Sequence, residues 1–385
     1  MKLISIFLLS AFMLNASVSE EEIYEIKAEL EILKEELETT KILARQEKPS
    51  DFNPSFSVIG TLLASYIREN EHHHSPINNN HSHNHEYATG FFIRELEFSF
   101  SGDIDPFFST QAILALEQDS SYKLHIHLEE AFIQLNKWPL ETKIGLFKAN
   151  IGRANSIHLH DLNQTDYPLA IKSFLGSEGL SHQGISNKVS FDFNDKNILS
   201  IFLQGGIGKI SPLQTKDAKK IPSMSVYAWW HNQLANDHFL DIGASSYLGR
   251  KDKSGSGLLQ ILAQDLHYTY TKDSITKFIL GTETFYAYAK NTSLSWGGFI
   301  WSQIALMSSA FLGFRYDIAP KKPFDKMNSA FSSYITYYTS EFFKFRFGYE
   351  HAMPKIDSIK GDDRLFLSMN FVLGAHPSEP YAVNR

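Results

Sequence analysis

The imidazole and carboxylate side chains are the groups in this chain best suited to chemistry, and they are unevenly placed. Six of its sixteen histidines, His72, His73, His74, His81, His83 and His85, crowd into residues 71–85, EHHHSPINNNHSHNH. Short tracts of neutral imidazole bind borderline metals such as Zn, Ni and Cu. With Asn and Ser around them and no carboxylate cage, they predict a loop that gathers such ions weakly; the alternative is a polar low-complexity loop with no ligand. A second group, His158, His160 and Asp161, stands in residues 145–182, GLFKANIGRANSIHLHDLNQTDYPLAIKSFLGSEGLSH, with Asp166 and His182. Two imidazoles and an acid at that spacing offer a stopping place for a divalent ion. A third, His125, His127 and Glu129, alternates with Leu124, Ile126 and Leu128. In a strand these three share one face and the leucines and isoleucine the other. They form either a metal pair with a carboxylate or ordinary polar lining.

Elements must exist to hold these groups. Residues 145–182 run for about thirty residues without strand alternation, far beyond the usual connection of roughly 4–6 residues, which marks a functional or disordered segment. Gly152 and the stretch Gly176-Ser-Glu178-Gly179 supply tight turns at its ends. We expect it to fold into a lumen. After Pro54 the apolar period becomes 2 and stays there. Phe343, Phe345, Phe347 and Tyr349 alternate with Lys344, Arg346, Gly348 and Glu350; Leu312, Phe314, Tyr316 and Ile318 alternate with Gly313, Arg315 and Asp317. About sixteen such segments begin near residues 56, 90, 107, 124, 140, 182, 197, 221, 238, 258, 274, 294, 310, 329, 342 and 363. Their connections alternate between tight turns and longer loops, the pattern of an outer-membrane barrel with turns on the periplasmic rim and loops outside. A soluble sandwich has no reason to sort its loops this way. Arg315, Asp317, Lys344, Arg346 and Glu350 then join His125, His127 and Glu129 as pore-lining side chains.

The N-terminal residues read differently. Lys2 precedes an apolar run from Leu3 to Leu14 and then small residues, a secretory signal over residues 1–19 that is too short to span a bilayer. In residues 20–48, Ile23, Ile26, Leu30, Leu33 and Leu37 fall at spacings of three and four, a short periplasmic coiled-coil helix. Ile at both a and d positions favours three or more strands over two. Residues 49–385 form the barrel unit. The net charge of −7 is concentrated in residues 20–47, where ten Glu face four Lys or Arg, so the barrel is nearly neutral and lacks the basic surface that nucleic acid requires. The absence of cysteine suits a bacterial envelope protein better than a small stapled secreted domain. Thirty Phe, seventeen Tyr and five Trp give the aromatic richness of a lipid-facing barrel.

Several stretches resemble a family of Gram-negative outer-membrane proteins often labelled zinc-regulated outer-membrane receptor or porin, similar in architecture to the phosphate-selective porins. They are FFIRELEFSFSG at residues 91–102, LEEA at 128–131, GLFK at 145–148, GRAN at 152–155 followed by His158 and His160, FLGSEGL at 174–180 and FVLGAHPSEPY at 371–381. The resemblance implies a trimeric 16-stranded barrel with an inward-folded third loop and a coiled coil ahead of it. Arg315, Lys344 and Arg346 are too few for the basic ladder of a phosphate-selective pore. The residues after 48 are also too few for the 22 strands and plug of an energised receptor. The expectation is an all-β antiparallel transmembrane barrel of about 16 strands acting as a passive outer-membrane channel for small solutes. Its cargo would be Zn2+, or Ni2+ or Cu2+, alone or complexed, with no required cofactor, and its partners outer-membrane lipid and two further copies of itself. A structural or adhesive barrel is the alternative that the coil supports, and a barrel enzyme is another. Against an enzyme, Glu129 and Glu130 are expected on opposite faces of a strand, where they cannot share a proton, and no nucleophile elbow or phosphate-binding glycine loop occurs.

Overall fold

The computed structural model describes residues 54–68, 89–135, 140–207, 211–252, 257–273, 275–289, 294–320, 327–354 and 362–374. The signal segment, the coiled coil at residues 20–48 and the six histidines between 72 and 85 lie outside the described residues.

Sixteen strands follow one another: β1 (Ser55–Arg68), β2 (Gly90–Asp103), β3 (Phe108–Gln118), β4 (Leu124–Leu135), β5 (Glu141–Lys148), β6 (Ser181–Asn194), β7 (Asn197–Ile207) and β8 (Ser223–Ala235), then β9 (His238–Arg250), β10 (Leu258–Lys272), β11 (Ile275–Ala289), β12 (Ser295–Met307), β13 (Ala310–Pro320), β14 (Met327–Ser340), β15 (Phe343–Pro354) and β16 (Asp362–Gly374). Each pairs antiparallel with its sequence neighbours, and β16 closes on β1 through pairs from Ser57↔Gly374 to Arg68↔Asp363. Closure pairs every strand edge, which is what lets a sheet stand in lipid. The outward side chains are apolar and exposed, Ile126 at 73% and Phe193 at 67%, while Lys344, Arg346 and Asp317 on the alternate positions are buried inside. The tight turns are locally stabilised: Asp105 Oδ1 accepts the amides of Phe107 and Phe108, and Asn194 Oδ1 accepts that of Lys196.

Of the register shifts that interrupt the pleat, two set up the site. In β2 the pairing jumps from Thr61↔Glu95 to Leu62↔Ile93, leaving Arg94 as an extra residue; in β4 it jumps from Ile113↔Glu130 to Leu114↔Leu128, leaving Glu129 extra. A bulge lets two successive residues point to one face. Arg94 with Glu95, and Glu129 with Glu130, are accordingly all buried. This corrects the expectation that Glu129 and Glu130 face opposite ways.

The segment between β5 and β6 folds inward as two 3-10 turns, at Ala154–Ser156 and Leu159–Asp161, and a short helix α1 (Leu169–Phe174). Asn155 ties its two ends together. Its Nδ2 donates to Ala149 O (2.6 Å) and Leu180 O (2.9 Å), and its Oδ1 accepts from Leu180 N (2.8 Å). Ile151, Leu162, Ile171, Phe174 and Leu180 pack on Tyr247, Leu259, Ile261, Phe285 and Phe299 from the inner faces of β9 to β12, with the Phe174 and Phe285 rings stacked 6.0 Å apart. That stretch of wall is apolar on both faces. The loop buries its apolar side there and leaves its polar side to the opposite wall.

Candidate functional site

Two walls of opposite character hold the inward loop. On the basic side, Lys344 Nζ donates to His160 O (2.8 Å), Arg346 to Leu162 O (3.1 Å) and Arg315 to Asp166 O (2.7 Å). Asp166 also receives Arg364 on one oxygen (2.7 Å) and Arg94 on the other. Arg315 is itself paired with Asp317 at 2.6 Å and reaches Glu350 at 3.5 Å. Arg315, Lys344 and Arg346, expected to line a pore, are therefore buried fasteners of the loop. Asp166 is held well below the usual carboxylate range, because Arg94, Lys172 and Arg364 outweigh the burial that would raise it.

On the acidic side stand the loop imidazoles. His158 Nδ1 lies 2.8 Å from Glu129 Oε2, and its Nε2 3.3 Å from Glu130 Oε2. His160 Nδ1 lies 2.7 Å from Glu97 Oε1 and its Nε2 3.4 Å from Asp161. The two rings stack at 5.8 Å. Burial disfavours the charged ring of His158, but its hydrogen bonds to Glu129 and Glu130 prevail and push its pKa up to about 9. His160 is raised well above the ordinary histidine range against the same burial, by Glu97 and Asp161, and Asp161 is lowered in return by His160 and Lys344. The carboxylates thus favour the protonated form of both rings, and a metal binding here competes with their protons. One donor atom each from Glu95, Glu97 and His160 lie within 4.8 Å of one another, as do those of Glu97, Glu129 and His158, and of Glu117, His127 and Glu129. Carboxylate oxygen with imidazole nitrogen suits divalent first-row ions.

The remaining candidates sit nearby. His127 lies 3.3 Å from Glu117, and His125 reaches Asp119 at 2.8 Å in the turn before β4. His182, in β6, points at Ser225 (3.2 Å) and Ser223 (3.4 Å), away from this cluster. The base of the loop is fixed by Arg153, 2.6 Å from Asp241, and by Ala154 N on Glu283 (2.7 Å). Gly152 has φ +67, and a Cβ there would run into Glu283, so the turn needs glycine.

Reading the sequence missed Glu95, Glu97 and Glu130 beside the loop imidazoles, and Glu117 beside His127. Glu95 and Glu97 carry the same two-residue spacing as His125 and His127, a signal that was available. Arg94 and Arg364 carry none.

No protein-family model matches the chain. A relative in Aquifex aeolicus (strain VF5), described as an uncharacterized protein, is 29% identical over 126 residues, which cover 32% of this chain and 24% of that one. The chain thus spans about a quarter of that relative's length. Solved barrels match along far more of it. An anion-selective porin from Comamonas acidovorans superposes with a TM-score of 0.55 at 8% identity, covering 83% of this chain and 99% of the porin. OmpT, an outer membrane protein of Vibrio cholerae, gives 0.53 at 8%, covering 85% and 99%. Salmonella typhi OmpF, in a complex with daunomycin, gives 0.52 at 9%, covering 85% and 99%. At such identities the likeness is one of fold: this chain has the closed antiparallel barrel of outer-membrane porins.

Proposed function

We propose that this protein is a Gram-negative outer-membrane channel for passive diffusion of small solutes, with divalent transition metal, zinc or its complexes, as preferred cargo. The observation that carries the reading is the placing of His158 and His160 inside the barrel against Glu97, Glu129 and Glu130. Cation-attracting groups at a loop folded across a lumen favour cations, and several weak positions in series allow both entry and release. The porins that share this fold support conduction rather than catalysis. Glu129 and Glu130 do share a face, but both are engaged by one imidazole instead of holding a proton between them. His72 to His85 would gather metal outside, and His158, His160 and Asp161 would offer the next stop. The residue 20–48 helix would lie in the periplasm and join three copies; one solved form of OmpT is a trimer.

Proteoliposomes with an entrapped zinc indicator test the proposal. Zinc should enter faster than into protein-free vesicles, and replacing all six outer-loop histidines should slow entry only when zinc is scarce. Entry no faster than into empty vesicles would reject it.

A further inference from the structure

The three carboxylate and imidazole groups described above share members. Glu97 belongs to the first and the second, and Glu129 to the second and the third. The sharing has a geometric basis in Glu97, whose two oxygens address different rings: Oε1 lies 2.7 Å from His160 Nδ1, and Oε2 lies 3.9 Å from His158 Nδ1. A carboxylate facing two imidazoles with separate oxygens is already disposed to bridge two cations, as in sites where paired metals stand about 3.5–4 Å apart.

A second observation points the same way. Glu95 and Glu97 are 3% and 1% exposed, and Glu95 Oε2 has no hydrogen-bond partner. A buried carboxylate oxygen left unpaired is costly unless a cation or a donor faces it. Glu95 and Glu97, like His127 and Glu129, share the inner face by strand alternation, and the bulge on β4 adds Glu130 to that face beside Glu129.

We infer that the lumen carries a two-ion site for divalent first-row metals, with Glu95 and His160 holding one ion, Glu129 and His158 the other, and Glu97 bridging them. Glu117 and His127 continue the row through Glu129 as a third position. The inference rests on the proposed metal cargo, since it specifies where and how many ions stop, but its test reads binding and not transport.

Chelator-stripped full-length protein in detergent is titrated with Mn2+ and followed by electron paramagnetic resonance. The expected result is a spin-coupled spectrum that grows as a second equivalent is added and that Zn2+ abolishes by competition. Glu97→Gln should leave the β-sheet spectrum and heat-modifiable migration intact, remove the coupling, and weaken binding by at least about tenfold, since losing even a supporting residue of a metal site costs that much. Glu129→Gln should loosen the second ion and the third position and leave the ion at Glu95 and His160 in place. Signals that stay uncoupled in the unaltered protein, or a coupled signal that survives Glu97→Gln, would overturn the bridged pair. Bilayer conductance recorded on the same preparations keeps the two claims apart: uncoupled Mn2+ in a conducting protein removes the pair and leaves the channel, and a coupled pair in a non-conducting protein removes the channel and leaves the pair.

Discussion

Replacing Asp166 with Asn should release the inward loop from the basic wall. The carboxylate is buried between Arg94 and Arg364, its backbone oxygen accepts from Arg315, and its neighbours Leu162 and His160 are held through Arg346 and Lys344. Asn has nearly the same volume, so little packing is lost. What changes is that two buried guanidiniums lose their counter-charge, and breaking a buried pair from one side costs roughly 3–5 kcal/mol. That loss falls on loop docking before it falls on the barrel, whose strands keep all their ladder bonds. Hydrogen exchange at the amides of residues 159–171 should therefore speed up strongly while that of β13 to β16 stays slow, and single channels should become larger and noisier. Combining Asp166→Asn with Arg364→Met should cost less than the two changes added separately, by about 0.5–3 kcal/mol, as expected for residues in one network. A change below about 1 kcal/mol in loop exchange, with an unaltered channel, would refute the assignment of Asp166 as the anchor.

Asn155→Ala removes three hydrogen bonds that close the base of the loop and leaves the Leu180 amide without that acceptor, so at about 1 kcal/mol per bond it should destabilise the loop by roughly 2–4 kcal/mol; unchanged protease resistance between residues 149 and 180 would count against it. In metal-free protein, loop docking should fail at both ends of the pH scale, as reported by thermal midpoints. Asp166 has a depressed folded pKa, so its contribution is complete above its unfolded value of about 3.9 and is lost as pH falls through the folded one; His158 is raised, so its contribution is complete below about 6.5 and is lost as pH climbs through about 9. A midpoint flat from pH 6 to 10 would contradict the His158 pairing. Deleting residues 20–48 should turn trimers into monomers in mild detergent, and a monomer mass for both forms would remove the coil from the assembly.

Much of the barrel was legible because its physics is local. A pleat repeats every two residues and a membrane strand has a fixed length, so the sixteen expected strand starts fall within two residues of those observed, as at 56 against Ser55 and 329 against Met327. The inward loop announced itself by length and broken alternation. Its docking wall was readable too, in retrospect, where Leu258-Leu259 and Ile261-Leu262 make both faces of β10 apolar. The acidic half of the site was not. A bulge adds one residue without any mark in the sequence, so Glu129 and Glu130 looked like opposite-facing neighbours and Arg94 like a residue out of phase with Glu95 and Glu97. Pairings such as His160 with Glu97, or Arg364 with Asp166, join positions far apart in sequence that only barrel closure brings together.

Planar-bilayer recording of the purified protein bears most directly on a lumenal metal path. Stepwise cation-favouring conductance is expected, interrupted by micromolar-to-millimolar zinc, with the interruptions lost in the His158→Ala, His160→Ala double variant and the conductance kept. Bilayers that stay silent, or channels that prefer anions and ignore zinc, would contradict it.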